Sequence, residues 1–349
     1  MTDVRVDGTA ARKADHLKIN LEQDVLAKGI RSGFERYRFA HCALPEIDFE
    51  KVDSSLDLFG RRLAAPVLIS SMTGGTPRAQ AINRVLASVA QEERVAMGLG
   101  SARALLEEPE LLATFDIRAF APDILLFANF GAVQLNRGYD AQDCRRLVTA
   151  LEADALILHL NPLQEALQPG GDTCFEGLLL KIASVCAALE VPVVVKEIGC
   201  GIGPEEVRAL FDAGVSAVDV AGAGGTSWSE VESHRIKEPW RARVASAFAG
   251  WGIPTAECLI SARAIAPKEL IFASGGIRDG IDVAKAIALG ADLTGIAAPF
   301  LRAAASGADA ARDSVREIVQ TLRVAMFASG ARRLVDLRSR GRLRRVGEA

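Results

Sequence analysis

The chain has 349 residues, half of them hydrophobic, which suffices for one large α/β domain or two smaller ones. Its net charge of -3 gives no electrostatic case for nucleic acid or an anionic membrane as partner. No apolar run approaches the roughly 18–20 residues of a membrane span, and residues 1–10 lack the apolar segment of a secretion signal, so a cytoplasmic protein is expected.

Residues 1–65 read as an N-terminal extension carrying the charged stretch Arg12-Lys13-Ala14-Asp15-His16. From Pro66 onward, strand and helix signals alternate through the remaining domain, residues 66–349. Strands are expected at Pro66–Ser71, Arg94–Gly98, Ile124–Asn129, Ala155–Leu160, Val191–Glu197, Ala217–Ala221, Leu270–Ser274 and Leu293–Ala297. Helical stretches lie between most of them, at Ala79–Glu93, Asp140–Leu151, Phe175–Leu189, Pro204–Ala213 and Gly280–Leu289. Leu105–Phe115 supplies a less clear helix between strands two and three. Eight such units match a (β/α)8 TIM barrel; a doubly wound open sheet is the alternative, usually with fewer strands. The segment Gly222–Lys268 is too long for one connection, so an insertion after strand six is expected. It holds all three tryptophans, Trp228, Trp240 and Trp251. Anchors of a helical insertion are the expectation for Trp240 and Trp251.

The strand ends carry the chemistry, because sites in parallel α/β proteins form at the carboxyl edge of the sheet. Glycines and hydroxyls follow strand one at Ser71-Met72-Thr73-Gly74-Gly75 and strand six at Gly224-Gly225-Thr226. Ser274-Gly275-Gly276-Ile277-Arg278 follows strand seven and Ala297-Ala298-Pro299 follows strand eight, where barrels commonly bind phosphate. Each loop alone reads as a tight turn; all on one rim they favour a large phosphate-bearing ligand. Strand two ends in Gly100-Ser101-Ala102-Arg103 and strand three in Asn129. Arg103 suits a diphosphate or a solvated loop position, and both readings stay open. Lys196 closes the buried run Val193-Val194-Val195. It could form a Schiff base or stabilise a reduced flavin, and pairing with Glu197 is not expected because strand neighbours point to opposite faces. The run Ala155–Leu158 delivers His159-Leu160-Asn161-Pro162-Leu163-Gln164-Glu165 to the same edge. Glu165 alone suffices for Mg²⁺ when a substrate diphosphate supplies the other oxygens. The six cysteines, without a CxxC pair, read as reduced core thiols; Cys200 alone falls in a Gly-rich turn.

Taken together, the Arg12–His16 stretch, Ser71–Gly75, the His159–Glu165 string, Val195-Lys196-Glu197 and the Gly-rich strand ends resemble the type 2 isopentenyl-diphosphate isomerases, the flavin-dependent form of that enzyme. The resemblance implies an FMN-binding barrel that needs Mg²⁺ and reduced flavin, with NADPH as reductant, and that interconverts isopentenyl diphosphate and dimethylallyl diphosphate. It implies FMN contacts from Ser71, Met72, Thr73, Gly74, Ser101, Asn129, Lys196, Thr226, Gly275, Gly276, Arg278, Ala297 and Ala298. Arg12, Lys13, Ser101, Arg103, His159 and Gln164 would hold the substrate, Glu165 the metal, and Gln164, His159 and Lys196 would serve catalysis. It further implies a homo-oligomer, a tetramer or octamer. Ala221 stands where the family usually has Ser, which removes one flavin hydrogen bond. The rival readings are an FMN-dependent α-hydroxy-acid oxidase or dehydrogenase, and a non-catalytic flavin-binding barrel. The first wants a His–Arg pair over the flavin, and the loop after strand seven offers Arg278 without a His.

Overall fold

Eight parallel strands pair edge to edge until the eighth returns to the first. A computed structural model describes residues 9–347. The strands are β1 (Val67–Ile69), β2 (Ala96–Gly98), β3 (Leu126–Gly131), β4 (Ala155–His159), β5 (Val193–Lys196), β6 (Ala217–Asp219), β7 (Leu270–Ser274) and β8 (Leu293–Ile296). The register Thr294↔Val67, Gly295↔Leu68 and Ile296↔Ile69 closes the barrel and excludes the open doubly wound sheet.

Runs such as Val193-Val194-Val195 suit strands buried on both faces. Inward side chains, among them Phe127, Ile157, Val194 and Phe272, form one packed cluster inside the barrel. Outward side chains pack under the surrounding helices in a second, larger core. The helices begin where local chemistry permits. Thr76 Oγ1 accepts from Ala79 N and Pro77 opens helix Pro77–Glu93, while Asp140 and Asp143 form a reciprocal capping box at Ala141–Ala150.

Four expectations need correction. Leu105–Phe115 is not one helix: a short α-helix spans Arg103–Glu107, and a 3₁₀ turn follows at Pro109–Thr114. Pro109 lacks an N–H and drives Glu108 out of the helical region, to ψ 84°. β3 runs past Asn129 to Gly131, because Phe130 and Gly131 still pair with Leu158 and His159 of β4. Trp240 and Trp251 anchor no core, each being 62% exposed. Finally, only two of the cysteines, Cys144 and Cys258, are fully buried, although all six are unpaired.

The segment after β6 holds helices Trp228–Arg235 and Pro239–Ser246, followed by Thr255–Ile265, which packs on β7. The residues before β1 occupy both ends of the barrel. Helix Thr9–Glu22 lies against Trp228–Arg235 at the carboxyl rim. The antiparallel strands Leu56–Leu58 and Arg61–Leu63 lie at the opposite end, where Leu58 and Leu63 join the interior cluster.

Candidate active site

A cavity of ≈ 550 Å³ opens at the carboxyl ends of the strands. Every site residue named from the sequence lines it, and they come from the ends of all eight strands and from helix Thr9–Glu22.

Lys196 forms part of the buried floor. Its Nζ donates to the Glu197 carbonyl (2.8 Å) and to Ser274 Oγ (3.2 Å), and lies 3.6 Å from Asp219 Oδ2. Ser274 Oγ in turn donates to Asp219 at 2.8 Å, and Asp219 is 1% exposed. Lys196 thus has a carboxylate partner directly across on the neighbouring strand β6, one that the sequence did not reveal. Glu197 turns away, as strand alternation requires. Its carboxylate accepts from the N–H groups of Ile198, Gly199 and Cys200 at 2.5–2.6 Å, shaping the loop after β5. Burial still pushes its acid up in pKa, against those three donors.

Asn129 and His159 stand on adjacent strands. His159 Nδ1 lies 2.7 Å from Asn129 Oδ1, an acceptor, so Nδ1 carries the proton. Burial first, then the charges of Lys196, Arg103 and Lys13, lowers the imidazole to about 4, which keeps it neutral at physiological pH with Nε2 free to accept.

The loops after β6 and β7 touch backbone to backbone. A Cβ on Gly225 would lie 2.5 Å from Gly276 N, and one on Gly276, whose φ is +74°, would lie 2.7 Å from the Gly224 carbonyl. Arg278 Nη2 ties the two loops by donating to Gly224 O at 3.1 Å. Thr226, Gly275, Ala297 and Ala298 complete this side of the cavity. Next to it, after β1, lie Ser71, Met72, Thr73 and Gly74, and Ser71 Oγ is buried with no hydrogen-bond partner. A buried hydroxyl without a partner, beside a wall that admits no side chains and a floor lysine, fits a flat polar ring system such as a flavin with its phosphate. Ala221 lines the same wall with φ +39°, a left-handed conformation unusual for alanine.

The opposite wall is cationic. Lys13 Nζ donates to the Ser101 carbonyl (2.8 Å) and sits 5.1 Å from the centre of the Phe115 ring. Burial, then the nearby Arg103 and Arg12, lowers Lys13 to about 8. Arg12 is lowered by burial and by Arg103 as well. Cations held this close destabilise one another until an anion arrives. Gln164 and Glu165 open helix Pro162–Leu167 beneath them. Glu165 accepts from Asn161 Nδ2 (2.8 Å), Asp172 N (2.6 Å) and Gln168 Nε2. Asn161 Oδ1 beside it is buried without a partner. A carboxylate next to an unpaired amide oxygen fits a hard cation. No group of three or more His, Cys, Asp or Glu is placed to hold a metal among the described residues, so further oxygens would come from substrate and water.

Among the lining residues to which the sequence assigns no site role are His16, Gln134, Gln168 and Trp228. His16 Nε2 meets Glu232 Oε1 at 2.9 Å and packs edge-on to Trp228, with centroids 5.3 Å apart. Glu232, 0% exposed, also accepts from Gln164 Nε2 (3.0 Å) and Arg235 Nε (2.9 Å). The i, i+4 spacing of Arg12 and His16 was the available signal, since it puts both on one helix face.

Residues 178–344 match the family model described as FMN-dependent dehydrogenase. A protein from Nostoc sp. named isopentenyl-diphosphate delta-isomerase is 52% identical over 338 residues, 97% of this chain and 97% of that one. Proteins of the same name from Synechocystis sp. and Stutzerimonas stutzeri are 54% and 50% identical, covering 95% and 94% of this chain and 95% of each relative. The chain belongs to the isopentenyl-diphosphate delta-isomerase family. The match to an FMN-dependent model places it with the type 2, flavin-dependent branch of the isomerases. Structures of mandelate oxidase superpose with TM-scores of 0.65 and 0.64 at 21% and 22% identity, covering 96% and 95% of this chain and 96% and 97% of theirs. At that identity they share the barrel with this isomerase relative and carry nothing about substrate.

Proposed function

We propose that this protein interconverts isopentenyl diphosphate and dimethylallyl diphosphate, using reduced FMN for acid–base chemistry and Mg²⁺ on the diphosphate. The observation that carries the reading is the division of one cavity into a wall of close-packed glycines and small side chains near Lys196 and a cationic wall of Arg12, Lys13 and Arg103. A single ligand would not use both.

The reaction delivers a proton to the terminal methylene carbon and removes another from the carbon nearer the diphosphate, with no net redox change. An unactivated alkene is a weak base, so the acid must be close and dry. When bound, reduced FMN supplies that acid–base chemistry. The residues named for it are Ser71, Met72, Thr73, Gly74, Ser101, Asn129, Lys196, Thr226, Gly275, Gly276, Arg278, Ala297 and Ala298, with Lys196 the fixed positive charge beside the ring. Arg12, Lys13, Ser101 and Arg103 bind the diphosphate and let remote binding energy position the alkene. Glu165 would hold Mg²⁺, which would supply positive charge against the diphosphate. Gln164 donates Nε2 to Glu232 and accepts at Oε1 from Asn161 at 3.2 Å, so its amide is fixed against the substrate. Neutral His159 offers Nε2 as an acceptor. NADPH as reductant, a cytoplasmic location and a homo-oligomeric state belong to the same reading. Exposed Trp240 and Trp251 supply an apolar face for association, and no described helix is long and apolar enough to cross a membrane.

An anaerobic isomerase assay that omits FMN, NADPH and Mg²⁺ in turn tests this. Activity should require FMN and a reductant. Glu165→Gln should lose Mg²⁺-dependent turnover by about a hundredfold, the size of one lost transition-state contact, while the protein stays yellow. Full activity of the oxidised enzyme, or turnover of lactate or glycolate instead, would overturn the reading.

A further inference from the structure

The loop after helix Pro162–Leu167 folds back onto that helix, and one residue in it reaches both halves of the proposed diphosphate site. Gly171 permits the approach: a Cβ there would lie 1.9 Å from the Glu165 carbonyl oxygen. Next in sequence, Asp172 donates its backbone N–H to Glu165 Oε2 at 2.6 Å. Its side chain points the other way. Oδ1 lies 2.7 Å from Arg137 Nε, and Oδ2 accepts from Gln134 Nε2 at 2.9 Å and lies 3.5 Å from Arg103 Nη1. Because Gln134 gives its amide N–H to Asp172, its Oε1 is turned to Arg103 Nη1, at 3.1 Å. Asp172 therefore acts on Arg103 twice, directly and through Gln134.

Arg103 has a competing partner. Glu107, one turn along its own helix, lies 3.3 Å from Arg103 Nε. Glu107 is the more exposed carboxylate, 37% against 19% for Asp172; neither lines the cavity, but Gln134, the amide that Asp172 orients, does. The guanidinium is thus drawn between an outer carboxylate and an inner carboxylate–amide pair. The guanidinium touches both sides, and the better buried pair is the less screened.

We infer that Asp172 is a positioning residue, which holds Arg103 at the diphosphate and, through its backbone, ties that arginine to the Glu165 corner. The inference rests on the reading of the cationic wall as a diphosphate site. The side-chain and backbone contacts are separable. Asp172→Asn keeps the N–H to Glu165 but removes the charge that balances Glu107. Arg103 then turns outward.

Inorganic diphosphate is the probe, its binding to the flavin-loaded protein followed by titration calorimetry without turnover. Asp172→Asn should raise its Kd about tenfold, a typical coupling between neighbouring charged groups. In the isomerase assay the variant should raise KM more than it lowers kcat, with an unchanged Mg²⁺ requirement. Adding Glu107→Gln to Asp172→Asn should restore most of the diphosphate affinity by removing the outward pull, a rescue that general loss of structure would not give. In an Arg103→Gln background, Asp172→Asn should have no further effect. Unchanged Kd in Asp172→Asn, no rescue by Glu107→Gln, or full additivity with Arg103→Gln would each overturn the assignment. A wild-type protein that binds diphosphate yet does not isomerise would count against the proposed reaction alone.

Discussion

On the proposed reading, Lys13 would carry both diphosphate binding and its pH limit. In the free protein, burial and two guanidiniums lower it to about 8. A diphosphate bound beside it would offset the burial and the repulsion of the two guanidiniums and favour the charged form, so binding would take up a proton above that pH. The sign follows: kcat/KM should be level below about pH 8 and fall as pH rises through it, since this ratio reports the free enzyme. Lys13→Arg, which stays charged, should move that limb at least one unit upward. A pH profile of kcat/KM for both proteins decides it, and a limb unmoved in the variant would assign the ionisation elsewhere. The Arg-Lys pair was legible in the sequence, as were Lys196 and Glu165, because charged residues at strand ends or in a family motif have few structural explanations. Asp219 and Glu232 were not. Asp219 ends the apolar strand Ala217–Asp219 and gives no periodic signal, and Glu232 looks like a solvated helix position until His16 and Arg235 are seen on it.

At the level of elements, the helix Thr9–Glu22 is the piece that distinguishes this cavity from a plain barrel mouth. It brings Arg12, Lys13 and His16 to the site, and it is held there by buried Leu17 and by the His16–Glu232 contact. Burial would raise the Glu232 acid, but His16 and Arg235 outweigh it and hold its pKa below the usual value. Stability from this carboxylate is therefore fully present above the ordinary glutamate value and is lost as pH falls below that value and through the lowered one of the folded state. Glu232→Gln should cost roughly 3 kcal/mol, because it leaves Arg235 buried without its countercharge. It should also raise KM, since the helix carrying Arg12 and Lys13 loses its tether. Denaturant unfolding and steady-state kinetics on the same variant test this, and a stability loss with unchanged KM would separate the helix from the site. Element positions were read from sequence to within a few residues where caps are strong, as at Gly280–Leu289. They failed at Arg103–Thr114, where Pro109 divides a stretch whose hydrophobic spacing looks continuous.

Across the whole molecule, chemistry and stability sit at opposite ends of the barrel. Barrels separate these tasks because the loops after the strands are free to vary while the other face must be sealed. Here the seal is made by a chain segment that precedes the barrel. The two-residue turn Phe59-Gly60 has φ +47° and +78°, the left-handed pair that a tight hairpin needs. Phenylalanine is an unusual occupant, and its ring accounts for it by lying 6.3 Å from both Phe127 and Phe272 at the base of the interior. Leu58 and Leu63, 4% and 1% exposed, flank it in the same cluster. Sequence reading assigned residues 1–65 to one extension serving the substrate site, since nothing local in Leu56–Leu63 tells which end of a barrel it will meet. The two strands pair with each other, and the side chains they pack against lie in strands that come together only once the barrel closes. Leu63→Ala should therefore destabilise the protein by roughly 3 kcal/mol, as expected for a large-to-small change in a rigid core. Flavin content and kcat/KM, measured well below the lowered Tm, should stay within about twofold of the parent, a surface-like effect on function despite a core-sized loss of stability. A comparable loss of kcat/KM in that variant would show that the interior transmits packing changes from the hairpin to the carboxyl rim, and that the two ends are coupled through Phe127 and Phe272.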